Sequence, residues 1–497
     1  MRTEKSRLLV VAALMLVFAC LGVLLIGRGS IWFDESFTYM LAEYDLGELL
    51  QRAQYDVHPP AYYLLLKAWM SLFGSTIVAM RSLSLVFGIL CIPLLYVVVS
   101  RLKKPQLALA SSLLLAINPF WLRYSVEARM YTLAAFMALA ATYTLLRHRQ
   151  SKKALSLVVY TILGGIGLLI HYYFAFVLAA HALWLLYESY LQNQSVKGLL
   201  QSFERRYIAA WVGILGIFAV WLPAAVRQFQ EVQGGFWIQP VDHRSLYSTF
   251  TKIALYFDEW KLEGWQAVGA MALCVFTVIG FVRYVRTHSL RSIQLPLLIA
   301  LVPIGCIFVL SLPPLDPVYN NRYFSLTTPF IMVLFAGSLL YWLAQKNHYL
   351  KVASLAIPLS FLLGITNTFA LRDFNSDNLN YNQFSTVWEQ AEPQIRDDDL
   401  LLSAEHYAYF DVSYYASTSN LNAKMYTLNK PYQWGGTSLV YDREDLHVDD
   451  LSTVTNDRVW TVYFDSNDIP PAELPANWSQ QQTITAGNNS MTLYLVK

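Results

Sequence analysis

Six short motifs carry side chains able to do acid, base or phosphate chemistry. Asp34-Glu35 follow Trp32-Phe33, and two adjacent carboxylates supply a general base or bind a cation. In Asp56-Val57-His58-Pro59-Pro60 the paired prolines stiffen the chain and start a helix, since proline suits the first helical position. His58 then stands beside a helix N-terminus, an end that suits a phosphate when joined by a side chain able to carry positive charge. The segment from Asn118 to Tyr131 holds Arg123, Glu127 and Arg129. His171-Tyr172-Tyr173 places a histidine among aromatics. Arg322, within Tyr319 to Tyr323, is suited to pairing with a phosphate. Trp221, Gln228, Phe236 and Trp237 offer flat faces on which sugars stack. Taken singly, each motif also reads as an interfacial ion pair, an aromatic anchor or a packed histidine.

The elements that must position these residues are apolar. The chain has 497 residues, 56% hydrophobic and only 14% charged, against roughly 25% charged in a typical soluble domain. With a mean hydropathy of +0.37, this excludes an ordinary soluble enzyme, a disordered chain and a nucleic-acid binder. A span needs about 20 mostly apolar residues. Eleven segments qualify: 8–27, 76–100, 106–122, 130–147, 154–171, 174–192, 208–223, 263–282, 293–312, 324–343 and 352–371. The first is too long for a typical signal-peptide core and has no small-residue cleavage site after it, so it reads as a retained span. Cys20, Cys91, Cys274 and Cys306 all fall in apolar runs, which implies packing rather than a disulfide framework.

The net charge of +2 is a cancellation. Residues 1–371 carry 29 Lys/Arg and 16 Asp/Glu, whereas 372–497 carry 7 and 18. The sequence therefore divides into a membrane domain, 1–371, and a small soluble domain, 372–497. The N-terminus and alternate short links hold 18 of the 29 basic residues and only Glu4, Glu188 and Glu204 among the acids. Lys and Arg favour cytoplasmic loops, which predicts a cytoplasmic N-terminus, a multi-pass chain in the cell membrane and an extracytoplasmic C-terminal domain. All six motifs then share the outer face. The first outer loop, 28–75, is expected to form two short helices, Glu43 to Gln54 and Ala61 to Phe73, the second lying in the interface. Strands at Leu400 to Ser403, Val459 to Phe464 and Met491 to Val496 predict a small α/β C-terminal domain. The fold class expected is an all-α polytopic membrane protein with such a domain appended.

Together, Asp34-Glu35, Asp56-Val-His-Pro-Pro-Ala-Tyr-Tyr63, Tyr124-Ser-Val-Glu-Ala-Arg-Met-Tyr131, His171-Tyr-Tyr173, Gly235-Phe-Trp-Ile238 and Asn321-Arg-Tyr-Phe324 resemble the GT-C glycosyltransferases of the protein O-mannosyltransferase and aminoarabinose-transferase type. The resemblance covers roughly residues 8–371. It implies transfer of a sugar, with inversion, from a polyprenyl-phosphate donor to a lipid, glycan or protein acceptor at the outer face of the membrane. It implies Asp34 as the general base, Glu35 as its partner and Glu127 as a second acid that positions the acceptor or shares the base role. It also implies phosphate or sugar contacts from His58, Arg129, His171 and Arg322, with Tyr131 and Trp237 in the binding site. Position 58 is His where the aminoarabinose-transferase subgroup carries Lys, which disfavours the lipid A reaction. The C-terminal region shows no three-repeat β-trefoil insertion of the eukaryotic mannosyltransferases, which favours a bacterial member.

A donor already carried on lipid accounts for the lack of a G-x-G-x-x-G or P-loop motif. Asp34, Glu35 and Glu127 leave a divalent metal open, although no dense ligand spacing demands one. Two other classes stay open. A transporter would place charge at the bilayer midplane and show two repeated halves, and neither pattern is evident. A polyprenyl-linked glycan polymerase or ligase would concentrate Arg and His in a large late loop, whereas here the longest acid-bearing loop is the first.

Overall fold

The computed structural model describes residues 4–193, 204–233, 238–242, 244–257, 264–370, 383–403, 406–419, 421–426, 438–464 and 474–497. In lipid, backbone polar groups must be satisfied within the segment, so apolar runs become helices. The chain opens with α1 (Glu4–Ile26), then three shorter helices, α2 (Phe33–Glu43), α3 (Leu46–Ala53) and α4 (Ala61–Phe73). Next come α5 (Ile77–Ser100), α6 (Pro105–Ala116), α7 (Pro119–Ser125), α8 (Tyr131–Ser151), α9 (Ala154–Ile170) and α10 (Phe174–Asn193). They are followed by α11 (Arg205–Ala219), α12 (Leu222–Val232), α13 (Ser245–Leu255), α14 (Trp265–His288), α15 (Gln294–Leu310), α16 (Thr328–Leu343), α17 (His348–Ser354) and α18 (Ala356–Ala370). The C-terminal region adds α19 (Phe384–Ala391), β1 (Leu400–Ser403), α20 (His406–Thr418), β2 (Ala423–Met425), β3 (Arg458–Phe464), β4 (Trp478–Ala486) and β5 (Asn489–Val496).

The protein is a multi-pass membrane protein. Each of the eleven expected segments falls on one or two of these helices. Among the described residues, α1, α5, α10, α14 and the run His348–Ala370 are long and apolar enough to cross a bilayer. Two expected spans are broken instead of straight. α6 and α7 meet at 60°, and α11 and α12 at 75°. Proline explains both breaks, because it lacks an N–H and clashes with the preceding turn. Pro119 starts α7, and the Asn118 side chain caps it by accepting from the Trp121 amide at 2.8 Å. Pro223 starts α12 in the same way.

The chain packs as two compact units. One comprises 1–26, 58–62 and 81–368, and the other 27–57, 63–80 and 369–497. The composition changes near residue 371, whereas by packing the segment 27–57 groups with the C-terminal region. In the helical unit, α8 packs on α9, α9 on α11, α6 on α16 and α14 on α16. Small residues let membrane helices approach closely. A Cβ at Gly165 of α9 would lie 2.7 Å from the Ile217 Cβ of α11.

The second unit is built on a five-stranded sheet of order β2-β1-β3-β5-β4. β1 pairs in parallel with β2 and β3, and β5 is antiparallel to β3 and β4. The three expected strands are β1, β3 and β5, and the expected α/β character is observed. Leu400, Leu402, Leu451, Val459 and Trp478 form one of its cores. The first loop yields three helices rather than two. The expected helix 43–54 shortens to α3, which starts where Asp45 accepts from the Glu48 amide at 2.9 Å. The additional helix, α2, lies on α20: the Phe33 and Phe410 rings meet edge to face at 5.3 Å, and Tyr39 and Tyr414 at 5.0 Å.

Candidate active site

The candidate residues divide between the two units, and each group is described within its own unit. In the helical unit, Arg129 follows the α7 turn and is 3% exposed. Its backbone carbonyl accepts from the Ser84 hydroxyl of α5 at 2.9 Å, and the Thr132 hydroxyl donates to the Ser84 carbonyl at 2.8 Å. The Arg129 guanidinium donates from Nη2 to Nδ1 of His58 at 3.3 Å. An arginine can only donate, so His58 Nδ1 holds a lone pair and its proton resides on Nε2.

His171 stands beside this pair in the link between α9 and α10, its ring centroid 5.8 Å from that of His58. The Tyr173 amide donates to His171 Nδ1 at 3.2 Å, which places the His171 proton on Nε2. That buried Nε2–H has no hydrogen-bond partner among the described residues. His171 is therefore a neutral donor. The Tyr323 ring lies 5.4 Å from it and the Tyr131 ring 6.4 Å. Tyr172 accepts from the Trp221 indole at 2.9 Å and donates to Gln228, and Tyr173 donates to the Val318 carbonyl at 2.6 Å. These bonds fix the histidine from both sides. Two motifs separate in the sequence, at 171–173 and 221–228, thus form one hydrogen-bonded chain.

Glu127 is buried and paired with Arg123 one turn earlier at 2.5 Å, both side chains 2% exposed. The three charges of this segment are thus divided: Arg123 holds Glu127, and Arg129 faces His58. Arg322 opens the turn Asn321–Leu326, its amide donating to Asn320 Oδ1 at 3.1 Å. Its charge and that of Glu127 both act on the Tyr124 phenol. Trp237 and Phe236 lie outside the described residues.

In the second unit, Asp34 and Glu35 occupy the first turn of α2, where the helix dipole stabilises carboxylates. Asp34 is partly exposed and Glu35 is 1% exposed. The Thr38 hydroxyl donates to the Asp34 carbonyl at 2.6 Å. The Ser36 hydroxyl donates to Asp411 of α20 at 2.5 Å. Asp56, also buried, accepts from the Tyr63 hydroxyl at 2.6 Å. Of the pair, Asp34 is the less buried.

Among the described residues, no group of three or more His, Cys, Asp or Glu is arranged to hold a metal ion. Glu127 is engaged by Arg123, and Asp34 and Glu35 belong to the other unit. Arg81 was not anticipated. It is fully buried in α5 and donates to the Ile26 carbonyl at 3.1 Å. A lone arginine near the start of an apolar 24-residue helix was the available signal.

Residues 57–224 match the sequence model of the family described as "Dolichyl-phosphate-mannose-protein mannosyltransferase". No curated protein matches the chain. Among solved structures, ArnT from Cupriavidus metallidurans in the apo state has 14% identity and a TM-score of 0.62, over 98% of this chain and 97% of that one. The same protein bound to undecaprenyl phosphate has 13% identity and a TM-score of 0.61, over 99% and 98%. The archaeal oligosaccharyltransferase AglB from Archaeoglobus fulgidus, in complex with an inhibitory peptide and a dolichol-phosphate, has 13% identity and a TM-score of 0.51, over 92% and 69%. The chain shares the fold of these structures.

Proposed function

We propose that the chain is an integral-membrane glycosyltransferase that moves a sugar from a polyprenyl-phosphate donor to a lipid, glycan or protein acceptor, with inversion. The observation that carries this reading is the buried trio of Arg129, His58 and His171: one cation and two imidazoles with their protons on Nε2. Such a cluster suits a phosphate monoanion or dianion with a lipid tail. It lies in the region that matches the mannosyltransferase family, on a fold whose relative ArnT is seen with undecaprenyl phosphate.

In the reaction, Asp34 accepts the proton of the acceptor hydroxyl. The acceptor oxygen forms a bond to the anomeric carbon as the bond to the donor phosphate oxygen breaks on the opposite face. The electron pair leaves with the polyprenyl phosphate. Arg129 and Arg322 stabilise the negative charge that develops there, and His58 and His171 donate N–H groups to it. Glu35, buried beside Asp34, positions the base. Glu127 organises the α7 turn through Arg123.

The sugar is a hexose or pentose, mannose being the one that the family description prints. The N-terminus is cytoplasmic and the C-terminal domain extracytoplasmic, as the distribution of Lys and Arg supports. A cysteine introduced at Gln481, which is exposed in β4, is labelled from outside intact cells in this orientation; labelling only after permeabilisation reverses it. The function is tested by incubating the purified protein with a panel of polyprenyl-phosphate sugars. Release of free carrier phosphate from at least one is expected, and no release from any defeats the reading.

A further inference from the structure

The helix α13 carries three hydroxyl residues, Ser245, Ser248 and Thr249, whose spacing of three and four places them on one face. Ser248 and Thr249 are buried. α13 packs on α7 and on the turn Asn321–Leu326, and those two also pack on each other. All three elements belong to the helical unit, and the proposed reaction gives α13 no part.

The hydroxyl face of α13 holds the turn that carries Arg322. The Thr249 hydroxyl donates to Asn321 Oδ1 at 2.6 Å, and the Asn321 side-chain amide donates to Ser248 Oγ at 3.1 Å. A hydroxyl has one proton to give, so the Tyr319 hydroxyl is the donor in its 2.5 Å bond with Thr249. Thr249 thus grips the residue directly before Arg322 and a second residue three before it. Arg322 itself is only half-buried. Apolar packing already anchors this turn, since Tyr319 and Phe324 share a core with Ile307. Hydrogen bonds add direction to that burial, and here they set how the backbone presents Arg322.

The other end of α13 is held against the segment that leads to Arg129. The last carbonyls of a helix have no partner within it. Asn118 Nδ2 donates to the Ile253 carbonyl at 2.8 Å while its Oδ1 caps α7, and Asn367 donates to the Leu255 carbonyl at 3.2 Å. One fully buried amide therefore closes α13 and opens α7. α13 is a crossbar between the two segments that carry the arginines of the reaction. Negative charge grows on the donor phosphate only as the bond to the sugar breaks, so a cation held in a fixed place favours the transition state over the bound donor.

We propose that Thr249 is a positioning residue of the transferase, which aims Arg322 at the leaving phosphate through Asn321 and Tyr319, with Asn118 as the fixed end of the crossbar. The inference rests on the glycosyltransferase reading and adds the element that sets one of its cations.

The test uses the full chain in nanodiscs, single-turnover release of carrier phosphate, and titration with the same polyprenyl-phosphate sugar. Thr249→Val keeps the shape of the side chain and loses the hydroxyl, whereas Thr249→Ser keeps the hydroxyl. A misplacement of about 1 Å can cost about 10²-fold in rate, and Thr249→Val is expected to slow release about tenfold with donor affinity within about twofold. Thr249→Ser should recover most of the rate. In an Arg322→Gln background, Thr249→Val should cost less than about twofold more, because its effect passes through Arg322. Asn321→Ala breaks the same bond from the other side and takes its place if Thr249→Val does not fold. A full rate in the variant that folds, a Thr249→Ser protein as slow as Thr249→Val, or a loss undiminished in the Arg322→Gln background overturns the proposal. The unaltered protein separates the two readings: no release from any polyprenyl-phosphate sugar defeats the transferase and the crossbar with it, whereas release that is indifferent to Thr249 and Asn321 defeats only the crossbar.

Discussion

Arg129 donates from Nη2 to Nδ1 of His58 at 3.3 Å, joining residues 71 apart in the sequence inside the helical unit. Because arginine has no acceptor, this bond fixes the tautomer of His58, and the Tyr173 amide fixes that of His171. Two neutral N–H donors are thereby set beside one permanent cation. A hydrogen bond to a charged group contributes about 1.5–3 kcal/mol, or roughly ten- to hundredfold in affinity. Arg129→Gln should therefore raise the dissociation constant for polyprenyl phosphate by about that factor, measured by titration in nanodiscs. An unchanged constant removes Arg129 from the phosphate site.

Asp34→Asn should abolish transfer and leave carrier binding within about twofold. Asparagine keeps the size of the side chain but takes up no proton at neutral pH. Asp34 is the partly exposed member of its pair, and Glu35 is buried, so Glu35→Gln should impair transfer less. Carrier-phosphate release under single-turnover conditions checks both, and full activity of Asp34→Asn would remove it as the base.

Much of this architecture was legible because lipid allows few alternatives. Apolar runs of about 20 residues must be helices, and alternating patterns marked β1, β3 and β5. The breaks at Pro119 and Pro223 were missed because both runs are apolar enough to read as single spans. What escaped were relationships between distant parts of the chain. α2 is made by packing: its Phe33 meets Phe410, 377 residues later, and no local pattern announces that. The ring of His171 stands beside that of His58, 113 residues earlier in the chain.

Acid should weaken the sheet unit through Asp399. Burial alone would raise its pKa, but the Arg458 guanidinium, the Arg396 amide and the Trp460 indole hold it below the usual carboxylate value. A depressed folded-state pKa gives stability that is present above the unfolded value of about 3.9 and lost as pH falls through the folded one. Thermal unfolding of the full chain, followed by tryptophan fluorescence, should show this loss below about pH 4. Trp460 reports it directly, since its indole donates to Asp399 at 2.9 Å. Asp399→Asn should be less stable at pH 7 and flatter with acid, and a parallel decline of both proteins contradicts the assignment.

Ser36→Ala tests how α2 is held. Ser36 sits one residue beyond the acid pair, and its hydroxyl donates to Asp411 of α20 at 2.5 Å in a buried setting. Removing a hydrogen-bond donor from a buried carboxylate costs about 1–3 kcal/mol. The variant should lower the unfolding midpoint. It should also reduce the transfer rate about tenfold, because the first turn of α2 carries Asp34. Donor affinity should stay unchanged, as the phosphate contacts come from Arg129, His58 and His171. Asp411→Asn, which still accepts from Ser36, should recover most of the rate relative to Asp411→Ala. A loss of stability in Ser36→Ala with transfer intact would show that the bond supports the fold and leaves the base in place.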